Sequence, residues 1–184
     1  MRKKLFFASI LTSFFVVNSC QLNEVLKPNI IWLVLEDQSQ YFFPFYGDNT
    51  LELKNINQLL DNGIVYEGMN SPYPVCAPSR SAIITGMYPN SIGTGNQRAY
   101  SYYRAEREEH EKQLGFPFYS SKFAEQIKPF TQILRENGYY TSNNSKEDYN
   151  FKLTKEAWDD SSINASCENR SGNEPFFSVF NFGI

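Results

Sequence analysis

The sequence predicts an α/β fold, a mostly parallel wound sheet flanked by helices, and three observations carry that prediction. A continuous apolar run, NIIWLVL at 29–35, and a second, mainly apolar one, FFSVFNF at 176–182, lack strict polar alternation and are rich in branched or aromatic residues. That is the pattern of strands buried within a parallel sheet. Two segments of helical periodicity lie between them, and each is closed by a glycine, Gly63 or Gly138. Strand and helix candidates alternate along the chain, as a βαβ wound sheet requires.

The chain has 184 residues, 41% hydrophobic and 16% aromatic, enough to bury a core and suited to one domain or part of a larger one. Its net charge of -3 and the absence of a basic stripe give no reason to expect nucleic acid. Residues 1–19 read as an export signal. Arg2, Lys3 and Lys4 precede an apolar run from Leu5 to Val17 that is too short for a comfortable bilayer span. The segment VNSC, Val17 to Cys20, looks like a bacterial lipoprotein cleavage box, which would make Cys20 the lipid-bearing first residue of the mature chain. The expected location is then the periplasm or outer membrane, anchored to the membrane through lipid; plain secretion with Cys20 a thiol is the alternative. Export also permits disulfides. Residues 20–28 form a tether, and 29–184 the folded portion.

The first strand, Asn29 to Leu35, ends in Glu36 and Asp37. In open α/β sheets ligands collect beyond the carboxyl ends of strands, so adjacent carboxylates there suit a hard cation held through oxygen. A strand end solvated by polar residues is the other reading. After an aromatic loop, Tyr41 to Gly47, Thr50 is placed to cap a helix over Leu51 to Asn62, with Leu53, Ile56, Leu59 and Leu60 on one face. Ile64 to Met69 reads as a short strand, and Ser71 to Pro74 as a turn delivering the chain to Cys76.

Val75 to Gly86, VCAPSRSAIITG, is where residue spacing implies chemistry. Pro78 and Ser79 mark a helix start just after a loop carrying Cys76, which sets unpaired backbone N–H groups and the positive end of the helix dipole beside it. That suits an anion. A buried or disulfide-bonded cysteine is the alternative. The following MYPNSIGTGNQR is a turn-rich rim in which Arg98 either meets an anionic substrate or is solvated. Ala99 to Glu111 is a charged helix or loop, and His110 within it is a poor candidate for catalysis. Pro129 then starts a helix with Phe130, Ile133 and Leu134 on one face, before a strand at Tyr139 to Thr141 and a polar edge, Asn143 to Lys146. Phe151 to Asn173 is a polar remainder containing Trp158, Asp159, Asp160 and an unplaced Cys167.

Cys76, Pro78, Ser79, Arg80, Thr85 and Gly86 fill every fixed position of the sulfatase signature, and the chain resembles the front portion of a sulfatase of the alkaline phosphatase superfamily. The resemblance implies that Cys76 is converted by a formylglycine-generating enzyme to formylglycine, whose hydrate is the nucleophile and also a metal ligand. It places Glu36 and Asp37 where the family carries an Asp pair for its divalent ion, with Glu a departure at the first position. Calcium is the ion implied, magnesium the other hard cation that suits. Lys146 matches the lysine that holds sulfate oxygens, Arg80 helps stabilise charge there, and Asp148 stands where the family has a histidine. The segment Asn143 to Phe151 looks like a bacterial branch akin to heparan N-sulfatases and points to sulfated glycans. A catalytic histidine, a second pair of metal ligands and another lysine are expected beyond the strand at 176–182, so this chain alone is expected to turn over little substrate. A phosphoesterase of the same superfamily, and a lipid-anchored remnant that binds sulfated glycans without catalysis, are the other readings.

Overall fold

A computed structural model describes residues 26–97, 104–122 and 125–183. The proposed signal segment 1–19, Cys20 and Arg98 lie outside the described residues. Four parallel strands form the sheet: β1 (Ile30–Leu35), β2 (Tyr140–Asn144), β3 (Asp160–Ser161) and β4 (Phe176–Phe182), in the order β1-β4-β2-β3. The last strand in sequence is thus inserted between the first two. Its register sets Leu35 beside Phe182 and Asn144 beside Phe180, so the carboxyl ends of β1, β4 and β2 share one edge. All-parallel pairing is what brings them there.

The helices are α1 (Lys54–Asp61), α2 (Cys76–Thr85), α3 (Arg104–Leu114) and α4 (Phe130–Glu136). The core gathers on one face of the sheet around Phe177, the second residue of β4, which is 1% exposed. Trp32 of β1 meets it edge-on at 4.9 Å between ring centroids, Phe130 of α4 likewise at 5.2 Å, and Trp158 stacks over it at 6.2 Å. Offset and edge-to-face pairs of this kind add to the burial of each ring. On the other face Ser142 and Ser178 share a hydrogen bond of 2.6 Å, which satisfies two hydroxyls buried mid-sheet.

Several expectations change. Strand β1 is not covered on both faces: it is the edge of the described sheet, and Ile31, Leu33 and Leu35 on its outer face are 52%, 58% and 44% exposed. Alternation along the strand separates them from the Trp32 face that packs on the core. Ile64 to Met69 forms no strand, because no neighbour pairs with it, and Ile64, Tyr66 and Met69 are exposed. Thr50 does not cap α1. Its amide and hydroxyl both turn to the Asp48 carboxylate, the amide at 2.8 Å, and the helix begins only after Leu53. Strand β2 takes in Asn143 and Asn144, expected beyond it, since both side chains find partners: Asn143 Nδ2 donates to Ser161 Oγ at 3.0 Å and Asn144 Nδ2 to the Ile163 carbonyl at 2.9 Å.

The charged segment before residue 115 is helical, yet Arg107 within it is buried, paired with Glu111 at 3.0 Å. The polar remainder supplies Phe151, Leu153, Ala157 and Trp158 to the core and Asp160–Ser161 as an extra strand. Asp159 at the entrance to β3 holds this unit to β2, accepting from the Thr141 amide at 2.8 Å while pairing with Arg135 of α4, also at 2.8 Å.

Candidate active site

Where the parallel strands end, the chain opens a cleft of about 830 Å³, lined among others by Glu36, Asp37, Cys76, Arg80, Asn143 and Lys146. Each arrives by a different local route. Glu36 continues the ladder past β1, its amide donating to the Phe182 carbonyl at 3.0 Å. Asp37 then turns the chain with a φ of 56°, a left-handed conformation that Asp adopts more readily than most residues and that gathers at functional sites. Lys146 follows β2 by two residues.

Cys76 differs from expectation in one respect: it is the first residue of α2, not a loop residue ahead of it, with extended Val75 as the cap. The first hydrogen bond of the helix runs from Ser79 to the Val75 carbonyl at 3.1 Å. Pro78 has no N–H to satisfy, and the amides at the start of the helix precede any i−4 partner, so the dipole end of a ten-residue helix lies at Cys76 itself. Gly86, at φ 66°, closes the helix, its amide bonded to Ala82 at 2.8 Å. Arg80, one turn beyond Cys76, therefore faces the same cleft. Cys76 and Cys167 are both thiols, so no disulfide joins the two cysteines among the described residues.

The charges interlock. The Glu36 carboxylate accepts a short hydrogen bond from Lys146 Nζ and lies 3.8 Å from Arg80 Nη2. Lys146 is also 3.6 Å from the carboxylate of Asp148, which is buried. Arg80 donates to Asn181 Oδ1 at 2.8 Å and to the Lys146 carbonyl at 3.3 Å. Two cationic side chains held side by side beneath a helix start suit a tetrahedral oxyanion. Beneath them Tyr149 is buried, and burial together with the neighbouring Glu147 carboxylate raises its phenol well above the ordinary value although Arg80 opposes the shift. It stays a neutral wall.

A divalent cation fits this donor set in part. Glu36 and Asp37 present carboxylate oxygens at one strand end, the ligand type of calcium and magnesium. Among the described residues no group of three or more His, Cys, Asp or Glu could hold a metal, so the two carboxylates supply only part of a shell. The proposed site residues Glu36, Asp37, Cys76, Arg80 and Lys146 thus line one cleft, while His110 is exposed on α3. Asn181 and Asn143 escaped the sequence reading. For Asn181 the available signal was an amide side chain inside the mainly apolar run FFSVFNF, where a buried polar group needs a partner.

The sulfatase family profile matches residues 28–181. An ulvan-active sulfatase from Formosa agariphila is 43% identical over 156 residues, which cover 85% of this chain and 25% of that protein. Human N-acetylgalactosamine-6-sulfatase is 32% identical over 78 residues, covering 41% of this chain and 15% of that one. A solved structure described as BT4656 in complex with its substrate D-glucosamine-2-N,6-O-disulfate superposes with a TM-score of 0.60 at 18% identity, covering 85% of this chain and 34% of that one, a likeness of fold. The chain therefore spans about a quarter of the ulvan-active relative's length. With a family profile running from the tether through β4 and a matching parallel α/β fold, the chain belongs to the sulfatase family.

Proposed function

We propose that this chain carries the nucleophile side of the active site of a sulfuric ester hydrolase acting on sulfated glycans. The observation that carries the reading is the meeting of Cys76, Arg80, Lys146, Glu36 and Asp37 along a single cleft. Cys76, as formylglycine, supplies the hydrated aldehyde that attacks sulfur; Glu36 and Asp37 hold part of the shell of a calcium or magnesium ion, which polarises the sulfuryl oxygens when bound. Arg80 and Lys146 orient the sulfate and stabilise the charge that builds on its oxygens in the transition state. The Glu36 carboxylate keeps both cations aimed at the cleft in its absence.

The 43% identity to an ulvan-active sulfatase supports a sulfated polysaccharide as substrate, and the disulfated glucosamine bound by the structural neighbour makes an N- or O-sulfated amino sugar the second class to test. The proposed export signal and Cys20 lipid anchor suit an enzyme that meets polysaccharide outside the cytoplasm, and labelled fatty acid appearing on Cys20 in the native host would test that placement.

Two measurements test the reaction. The mass of the tryptic peptide containing residue 76, from protein made in its own host, is expected to show loss of the thiol and gain of an aldehyde; an intact cysteine would refute maturation. The complete gene product, given paired sulfate and phosphate esters together with ulvan and glucosamine sulfates, is expected to release sulfate. Preference for the phosphate ester would instead identify a phosphoesterase of the superfamily.

A further inference from the structure

The innermost polar contact of Arg80 comes from a residue outside the set that the family signature marks. Arg80 Nη2 donates to Asn181 Oδ1 at 2.8 Å, shorter than its 3.3 Å bond to the Lys146 carbonyl and its 3.8 Å approach to Glu36. The Asn181 amide is itself fixed. Its Nδ2 donates to Asn143 Oδ1 at 3.1 Å and to the Asn144 carbonyl at 2.9 Å, and Asn143 Nδ2 is anchored on Ser161 Oγ at 3.0 Å. A chain of oriented amides therefore runs from β3 through β2 to β4 and ends on the guanidinium.

With both Nδ2 protons taken by oxygen acceptors on β2, only the amide oxygen is left for Arg80, so the side chain has one productive orientation. A neutral acceptor also differs from a carboxylate in what it leaves behind. It locks the angle of the guanidinium without itself adding a negative charge, and Arg80, which lines the cleft, has five N–H donors, of which the Asn181 amide oxygen and the Lys146 carbonyl take two. Asn181 is held from both sides because β4 is a central strand: its backbone pairs with Val34 of β1, and its side chain reaches β2, whose ladder with β4 ends one residue earlier at Phe180.

We propose that Asn181 is a positioning residue that presents the Arg80 guanidinium at a fixed angle to the sulfuryl group bound beside Cys76. This rests on the sulfatase reading. The inference is tested in the complete, matured gene product with 4-nitrophenyl sulfate, using N181A and the nearly isosteric N181L, each alone and combined with R80A. Loss of a hydrogen bond to a charged group is expected to lower kcat by about tenfold to a hundredfold, with KM changed by less than about threefold because the orientation counts in the transition state. Added to R80A, either change is expected to cost nothing more, since the residue acts through Arg80. Independent, multiplying losses would overturn the proposal, as would wild-type kcat in N181L.

A crystal structure of the N181L protein supplies a readout that does not depend on turnover. The Arg80 guanidinium is expected to leave the position it holds against β4; an unmoved guanidinium overturns the proposal. A wild-type enzyme that fails to cleave sulfate esters would sink the sulfatase reading alone, and the position of Arg80 would still decide the role of Asn181.

Discussion

Cys76 and Lys146 illustrate how much a side chain's chemistry owes to its neighbours. A thiol at the first position of a ten-residue helix sits in the field of the helix dipole with two cations nearby, while the same thiol on a surface strand would have neither. Replacing it removes the group proposed to become the nucleophile, so C76A in the complete enzyme is expected to lower kcat by about a thousandfold or more, measured on an aryl sulfate after confirming that the variant folds. In the proposed mechanism Lys146 contributes a single charged donor to the sulfate oxygens. K146A is expected to lower kcat by about a hundredfold, and sulfate release equal to wild type would remove Lys146 from the proposed machinery. Both residues could be found in the sequence because a rigid spacing of unusual residues marks them. Asn143 and Asn181 could not be assigned that way, since Asn143 sits among other polar residues and an asparagine in a mainly apolar run, as at 181, announces a partner without naming it.

At the scale of elements, β4 does two things at once. Its inward residues Phe177 and Val179 belong to the core cluster, and its carboxyl end delivers Asn181 to the cleft. Loss of the Phe177 ring would leave Trp32, Phe130 and Trp158 around a void, so F177A is expected to destabilise the fold by about 3–5 kcal/mol, read from urea denaturation; a shift below about 1 kcal/mol would mean the cluster collapses to fill the space. The run FFSVFNF was legible as a strand from its composition, and Gly138 correctly closed the helix before β2. Ile64 to Met69 looked equally apolar and yet stays unpaired. A strand is made by a neighbour's hydrogen-bonding groups as much as by its own side chains. The neighbour is a tertiary fact, and so is the pairing that makes the two-residue polar segment Asp160–Ser161 a strand beside Asn143.

The whole molecule shows its electrostatics in two responses. The Arg107–Glu111 pair anchors α3, and the hydrogen bond from Arg107 holds the Glu111 carboxyl below its ordinary value of 4.5. A group whose acid constant is depressed by folding stabilises the native state fully above its unfolded value, and that contribution is lost as the pH falls through the folded value. The gap in thermal midpoint between wild type and E111Q is therefore expected to be present at neutral pH and to close below the ordinary carboxylate range, measured by scanning unfolding across acid pH; a gap that widened in acid would contradict the pair. The second response concerns the cation. Binding to the native state alone raises stability by mass action, so calcium is expected to raise the melting temperature of the complete gene product, and the E36Q/D37N double variant is expected to abolish the rise. A calcium response unchanged in that variant would place the ion elsewhere.

What the residues of this chain determined unaided were the family, through the spacing of Cys76, Pro78, Ser79, Arg80, Thr85 and Gly86, and the existence of the two long strands, through their mainly apolar composition. These are local properties, readable within a dozen residues. The insertion of β4 between β1 and β2, the edge position of β1 and the amide relay onto Arg80 were decided by the tertiary structure. They depend on which distant strands exchange hydrogen bonds, and a parallel pairing between residues more than a hundred positions apart leaves no periodic trace in either partner's sequence.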